Sequence, residues 1–213
     1  LEEKMKKIIL VTVAFLSSAG IAQLSQAALT GSLHDLSIVS GSGVTQICLP
    51  CHTPHNADTS ITDAPLWNHT ATTATYTLYA SPTFNAGPGG TNLNTITQPT
   101  GVSKLCLSCH DGTVAPDAFT GHTPAMAKLL PGVDNGGLGT DLKKSHPISF
   151  TYDAALVTKD GELHDPTTLP VGWVNNGKFE CSSCHDVHNK GNFGDMLHIS
   201  NANSALCLKC HNK

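Results

Sequence analysis

The chain has 213 residues with 16 Asp and Glu against 12 Lys and Arg, a net charge of −4 at neutral pH, and only 5% of it is aromatic. An acidic chain lacks the basic face that phosphate contacts need, so nucleic-acid binding is excluded as a main role. The length suffices for one domain with a core, but few aromatics and abundant Gly, Ser, Thr and Asn leave little apolar material to build it, so something other than polypeptide has to fill the interior.

At the amino terminus, Met5-Lys6-Lys7 is a basic segment followed by an apolar run from Ile8 to Gly20, and Ser25-Gln26-Ala27 supplies small residues for cleavage. This is the pattern of a secretory signal peptide over residues 1–27, with Leu1 to Lys4 as extra residues before the first Met. A retained membrane anchor is the alternative, but an apolar run of about 13 to 15 residues is short for a bilayer. Cleavage after Ala27 removes three lysines and two glutamates, takes the net charge from −4 to −5, and leaves 28–213 as a single exported domain with no membrane span. Its destination is extracellular, with the periplasm as the alternative.

The mature part is organised by four copies of Cys-x-x-Cys-His: Cys48 to His52, Cys106 to His110, Cys181 to His185 and Cys207 to His211, which use all eight cysteines. Paired cysteines with His in the next position read as c-type haem attachment sites. Two thiols add to the two vinyl groups at one porphyrin edge, and the next side chain is carried under the iron. Cys48, Cys51, Cys106, Cys109, Cys181, Cys184, Cys207 and Cys210 are then the thioether residues, and His52, His110, His185 and His211 the proximal ligands of four haem c groups. Zinc sites, redox dithiols or disulfides would explain the cysteine pairs but not the histidines. A His after all four pairs by chance has a likelihood on the order of 10⁻⁵.

In chain order, His34 comes first, in Leu29-Thr-Gly-Ser-Leu-His-Asp-Leu, ahead of a Gly41-Ser42-Gly43 turn. The first motif continues to His55, giving His52-x-x-His55, and the third repeats this as His185-x-x-His188. A second His three residues on is too close to reach the far face of the same iron, but it is placed to ligate a neighbouring haem. Residues Asp63 to Gly101 hold no motif. They carry His69, then a strand-like alternation through Thr70 to Ala80, then a Gly87-Pro88-Gly89-Gly90 loop that reads as a surface flap, with a subunit-contacting β-edge as the alternative. The glycine-rich Gly132 to Gly139 matches no phosphate cradle. His146 is held extended by Pro147. The last two motifs start 26 residues apart, so their haems are expected to be neighbours. Short helices are expected around each motif.

Eight histidines lie outside the motifs. Four irons need at most four of them as distal ligands, and Met126 and Met196 are the only methionines of the mature chain. Bis-histidine ligation is the simpler assignment, and scarce methionine points to low potentials. His122, His164 and His198 read as ordinary loop histidines.

Four segments carry a resemblance: Ile47 to Asn56 with His34-Asp-Leu-Ser upstream, Cys106 to Ala115, Ser145-His-Pro-Ile-Ser-Phe, and Cys181 to Asn189. The chain resembles the exported multihaem cytochromes c of metal-reducing bacteria, and among them the tetrahaem cytochromes that polymerise into extracellular filaments, the nanowire type. The likeness runs over nearly the whole mature chain. It implies distal roles for His34, His55, His146 and His188, with His69 as a fifth claimant, and one resolution is that His34 ligates a haem in the adjoining subunit.

The fold expected is mostly irregular coil with short helices and few strands, a multihaem cytochrome c wrapped around four stacked haems. With both axial positions filled the remaining capability is electron transfer, not enzyme catalysis. The expected role is extracellular electron transfer as a self-assembled head-to-tail filament, delivering electrons to partner cytochromes or metal oxides. A soluble monomeric periplasmic shuttle and a multihaem reductase with one open iron are the alternatives.

Overall fold

The computed structural model describes residues 29–86, 98–134 and 136–213. The signal peptide expected over residues 1–27 and the Gly87-Pro88-Gly89-Gly90 segment fall outside the described residues. Among the described residues most of the chain is turn and coil, with two α-helices, six single 3-10 turns and one two-stranded sheet. None of the described helices is long and apolar enough to cross a membrane.

The first helix, α1, spans Gly101–His110 and carries the second motif in its last turns. It buries Leu105 against Ile61 and Trp67 and Leu107 against Tyr76 and Leu142, so one helix serves two small cores. A third core gathers Phe150, Tyr152, Leu156 and Phe179. It is built on strands β1, Phe150–Thr151, and β2, Lys178–Phe179, which pair antiparallel with Phe150 opposite Phe179. Their rings stack at 5.3 Å and 14°, the cross-strand aromatic pair that stabilises so short a sheet. The second helix, α2, spans Ala154–Asp160, and Asp153 caps it by accepting the Leu156 N–H at 2.9 Å. Three small clusters in place of one core agree with the meagre apolar composition.

The strand-like alternation of Thr70 to Ala80 does not make a strand, because no continuous partner lies beside it; its one ladder contact is the isolated Thr77–Asp141 bridge. Its backbone is satisfied piecemeal instead: the Thr72 N–H donates to Ser108 Oγ at 3.0 Å, the Tyr76 N–H to Gln98 Oε1 at 2.8 Å, and the Thr77 N–H to the Thr140 carbonyl at 3.0 Å. Buried Asp111 anchors the same segment, accepting from Tyr76 Oη at 2.6 Å and Thr72 Oγ1 at 2.6 Å.

The four motifs share one local conformation in different settings. The second lies in α1, while the third and fourth open with 3-10 turns at Cys181–Ser183 and Cys207–Lys209. The first is a single turn. In the first, third and fourth, the His amide donates back to the carbonyl of the first Cys, at 2.9, 3.1 and 3.0 Å. One helical turn therefore sets both sulfurs and the imidazole on one side, as the expected short helices required, though only the second motif extends into a true α-helix.

Candidate functional site

All eight cysteines are free thiols in this fold. Burial and the neighbouring Cys48 push Cys51 up to about 11, and burial together with Cys210 does the same to Cys184. Among the described residues no group of three or more His, Cys, Asp or Glu converges as a metal cage, which a Cys₄ or Cys₂His₂ zinc site would need.

Three of the four motif imidazoles are oriented by a backbone carbonyl. His52 Nδ1 lies 2.6 Å from the Pro65 carbonyl, His110 Nδ1 2.7 Å from that of Gly136, and His185 Nδ1 2.8 Å from that of Asp195. A carbonyl oxygen only accepts, so Nδ1 carries the proton and Nε2 keeps its lone pair for a metal. The backbone beside two of these carbonyls is strained: Leu66 has φ +55°, Asp195 φ +55° and Met196 φ +54°, each costing roughly 1–2 kcal/mol. Such strain collects where the fold is made to hold a functional group. The fourth motif is docked through its backbone, with the His164 N–H on the Cys210 carbonyl at 2.8 Å and the Asn212 N–H on that of Glu162 at 2.8 Å.

The glycine-rich segment proves to be the cradle of His110. Gly136 has φ +87°, and a Cβ there would stand 3.0 Å from His110 Nδ1. The Leu138 N–H also donates to the His110 carbonyl at 2.7 Å. Reading the segment only for a phosphate loop missed this, because a glycine that admits a distant histidine leaves no local motif.

Distal candidates face proximal histidines in three places. His52 and His188 lie parallel, 9° apart with ring centres at 6.3 Å; His146 and His211 are 6.3 Å apart; His34 and His110 are 5.8 Å apart. With a metal–nitrogen bond of about 2 Å on either side, two imidazoles trans on one metal have ring centres roughly 6 Å apart. The spacing fits a single iron between each pair. His188 Nδ1 sits 3.8 Å from the Asp186 carboxylate, and His146 Nδ1 2.8 Å from the Pro147 carbonyl. Burial, and then the nearby His110 and His185, lower the His34 pKa to about 4, so the ring is neutral and able to ligate.

The remaining candidates behave differently. His69 is 2% exposed, with Nδ1 2.8 Å from the Thr70 carbonyl and Nε2 2.9 Å from that of Ala115. A neutral imidazole has one N–H to give these two carbonyls, so one nitrogen donates and the other keeps its lone pair, and Nε2 also lies 3.3 Å from Cys109 Sγ. His55 is exposed, and among the described residues no ring contact joins His185 to another imidazole, although His34 lies near enough for the two to interact electrostatically. His198 is stacked on Trp173 at 4.9 Å and bonded to the Ser182 carbonyl at 2.8 Å, and His122 is stacked on Phe119 at 4.6 Å. Neither is the free loop side chain that the sequence suggested.

Residues 172–213, which hold the third and fourth motifs, match the family described as the doubled CXXCH motif. No relative among curated proteins matches the chain.

Proposed function

We propose, with four CxxCH motifs and the doubled CXXCH match marking a multihaem c-type cytochrome, that this protein carries electrons along four bis-histidine haems outside the cytoplasm. The observation that carries the reading is the set of three facing imidazole pairs, His52 with His188, His110 with His34 and His211 with His146, at the spacing of a shared metal. The haems supply the redox chemistry. The chain's part is to tether them through cysteine, fix the proximal ring by its Nδ1 bond, and close the second face with another ring.

The fourth pair follows from the two His-x-x-His segments. With His52 against His188, two segments running in opposite senses would bring their other ends, His55 and His185, together. His55 then closes the iron of His185, and the two haems share one clamp. His34, His55, His146 and His188 fill the four distal seats, and His69 drops out because it is buried against Trp67 and the Ala115 carbonyl and, among the described residues, makes no ring contact with a motif histidine. His34 has a partner in its own chain, so its assignment to an adjoining subunit is not needed.

A chain of closely spaced, coordinatively closed haems suits long-range transfer, and we read the protein as a subunit of an extracellular filament that passes electrons to metal oxides or other cytochromes. The exposed His185 without a facing ring favours a second reading, a reductase with an open iron there. Carbon monoxide added to the reduced protein separates them: no spectral change supports four closed irons, and binding at one haem per chain supports the open site. Negative-stain images of the native secreted protein test the filament against a monomeric shuttle.

A further inference from the structure

The haem reading leaves a buried carboxylate unused. Glu180 is 2% exposed and directly precedes Cys181. Its Oε2 accepts from the Ser103 N–H at 3.3 Å, from Ser103 Oγ and from Ser149 Oγ at 2.9 Å. Ser103, fully buried and three residues before Cys106, in turn accepts the Cys181 N–H at 3.0 Å. Thr100 provides no side-chain cap for α1, so Glu180 supplies from another segment the anionic acceptor that a helix N-terminus favours. Gly101 permits the approach: its φ is +52°, and a Cβ there would stand 3.1 Å from Glu180 Oε1. Across this junction the Cys106 and Cys181 thiols lie near enough to perturb one another, and Lys178, bonded to Thr100 Oγ1 at 3.1 Å, is the nearby cation.

We infer that Ser103 and Glu180 are positioning residues that lock the second and third haem-attachment sites edge to edge. Each thiol would tether one porphyrin edge, so bringing the two motifs together would make those edges neighbours, and the Ser103 hydroxyl and Glu180 carboxylate, bonded across both segments, fix that junction. A buried carboxylate is costly, and a serine bridging helix and turn gives it a use that general core packing would not.

The inference rests on the haem reading, and the test separates the two. S103A, E180A and S103T are produced as the haem-loaded protein, haem occupancy is mapped on proteolytic peptides by mass spectrometry, and the bisignate Soret circular dichroism of coupled haems is recorded. We expect S103A and E180A to lose couplet amplitude, or to lose haem selectively from the Cys106 and Cys181 motifs, with S103T restoring the wild-type signal. Four haems with an unchanged couplet in both variants, or haem loss spread evenly over the four motifs, overturns the inference. Wild-type protein without covalent haem overturns the haem reading itself.

Discussion

The His52 and His188 imidazoles lie parallel at 6.3 Å although 136 positions separate them in the chain. His188 follows the third motif yet faces the histidine of the first, so one short segment joins two CxxCH motifs. H188A should therefore open the iron of the first motif while leaving the third attached. The expected result is one high-spin ferric signal per chain in electron paramagnetic resonance, with four haems still present by mass.

His69 gives the converse case. H69A should leave every iron low-spin, because the buried ring sits between the Thr70 and Ala115 carbonyls and, among the described residues, makes no ring contact with a motif histidine. It should lower stability by about 1–3 kcal/mol, the cost of leaving buried polar groups unpaired, read from chemical denaturation of the haem-loaded protein.

At Gly136 a side chain would meet His110 Nδ1 at 3.0 Å on a backbone with φ +87°. G136A should weaken the His110 bond to the Gly136 carbonyl and reduce the imidazolate character of that ligand. A redox titration should show one of four haem potentials moved upward. Stability should fall by about 1 kcal/mol or more from the backbone alone.

Asp117 sets an acid limit on the loop after the second motif. Burial opposes its ionisation, but the Ala125 and Met126 N–H groups, at 2.7 and 3.1 Å, more than offset this and hold its pKa below the ordinary 3.8. The unfolded chain then takes up this proton at higher pH than the folded one, so the stabilisation is complete above the unfolded pKa and disappears as pH falls through the folded value. D117N should be less stable than the wild type near neutral pH by about 1–3 kcal/mol. The difference should shrink below pH 3.8, as denaturation curves across the acid range will show.

What was legible in the sequence was local and covalent. Cys-x-x-Cys-His carries its chemistry within five residues, and the small apolar content foretold a meagre polypeptide core, though not its division into three clusters. The fold's long-range pairings were not legible. Nothing in the sequence distinguishes His69, buried against Trp67 and the Ala115 carbonyl, from His188, which faces another imidazole, because the difference lies in residues far along the chain. The strand-like run at Thr70 to Ala80 misled for a related reason: alternation reports a half-buried extended chain, but a strand also needs a partner, and side chains such as Ser108 and Gln98 took that place. Gly136 and Glu180 were invisible because each acts on a residue far away in sequence.

The central claim is that four irons are held covalently by this chain. Intact-mass spectrometry of the native, haem-loaded protein tests it most directly. The account predicts a mass equal to the polypeptide plus four haem groups, located on peptides containing Cys48, Cys106, Cys181 and Cys207. A mass equal to the polypeptide alone, with eight free or disulfide-bonded cysteines, would contradict it.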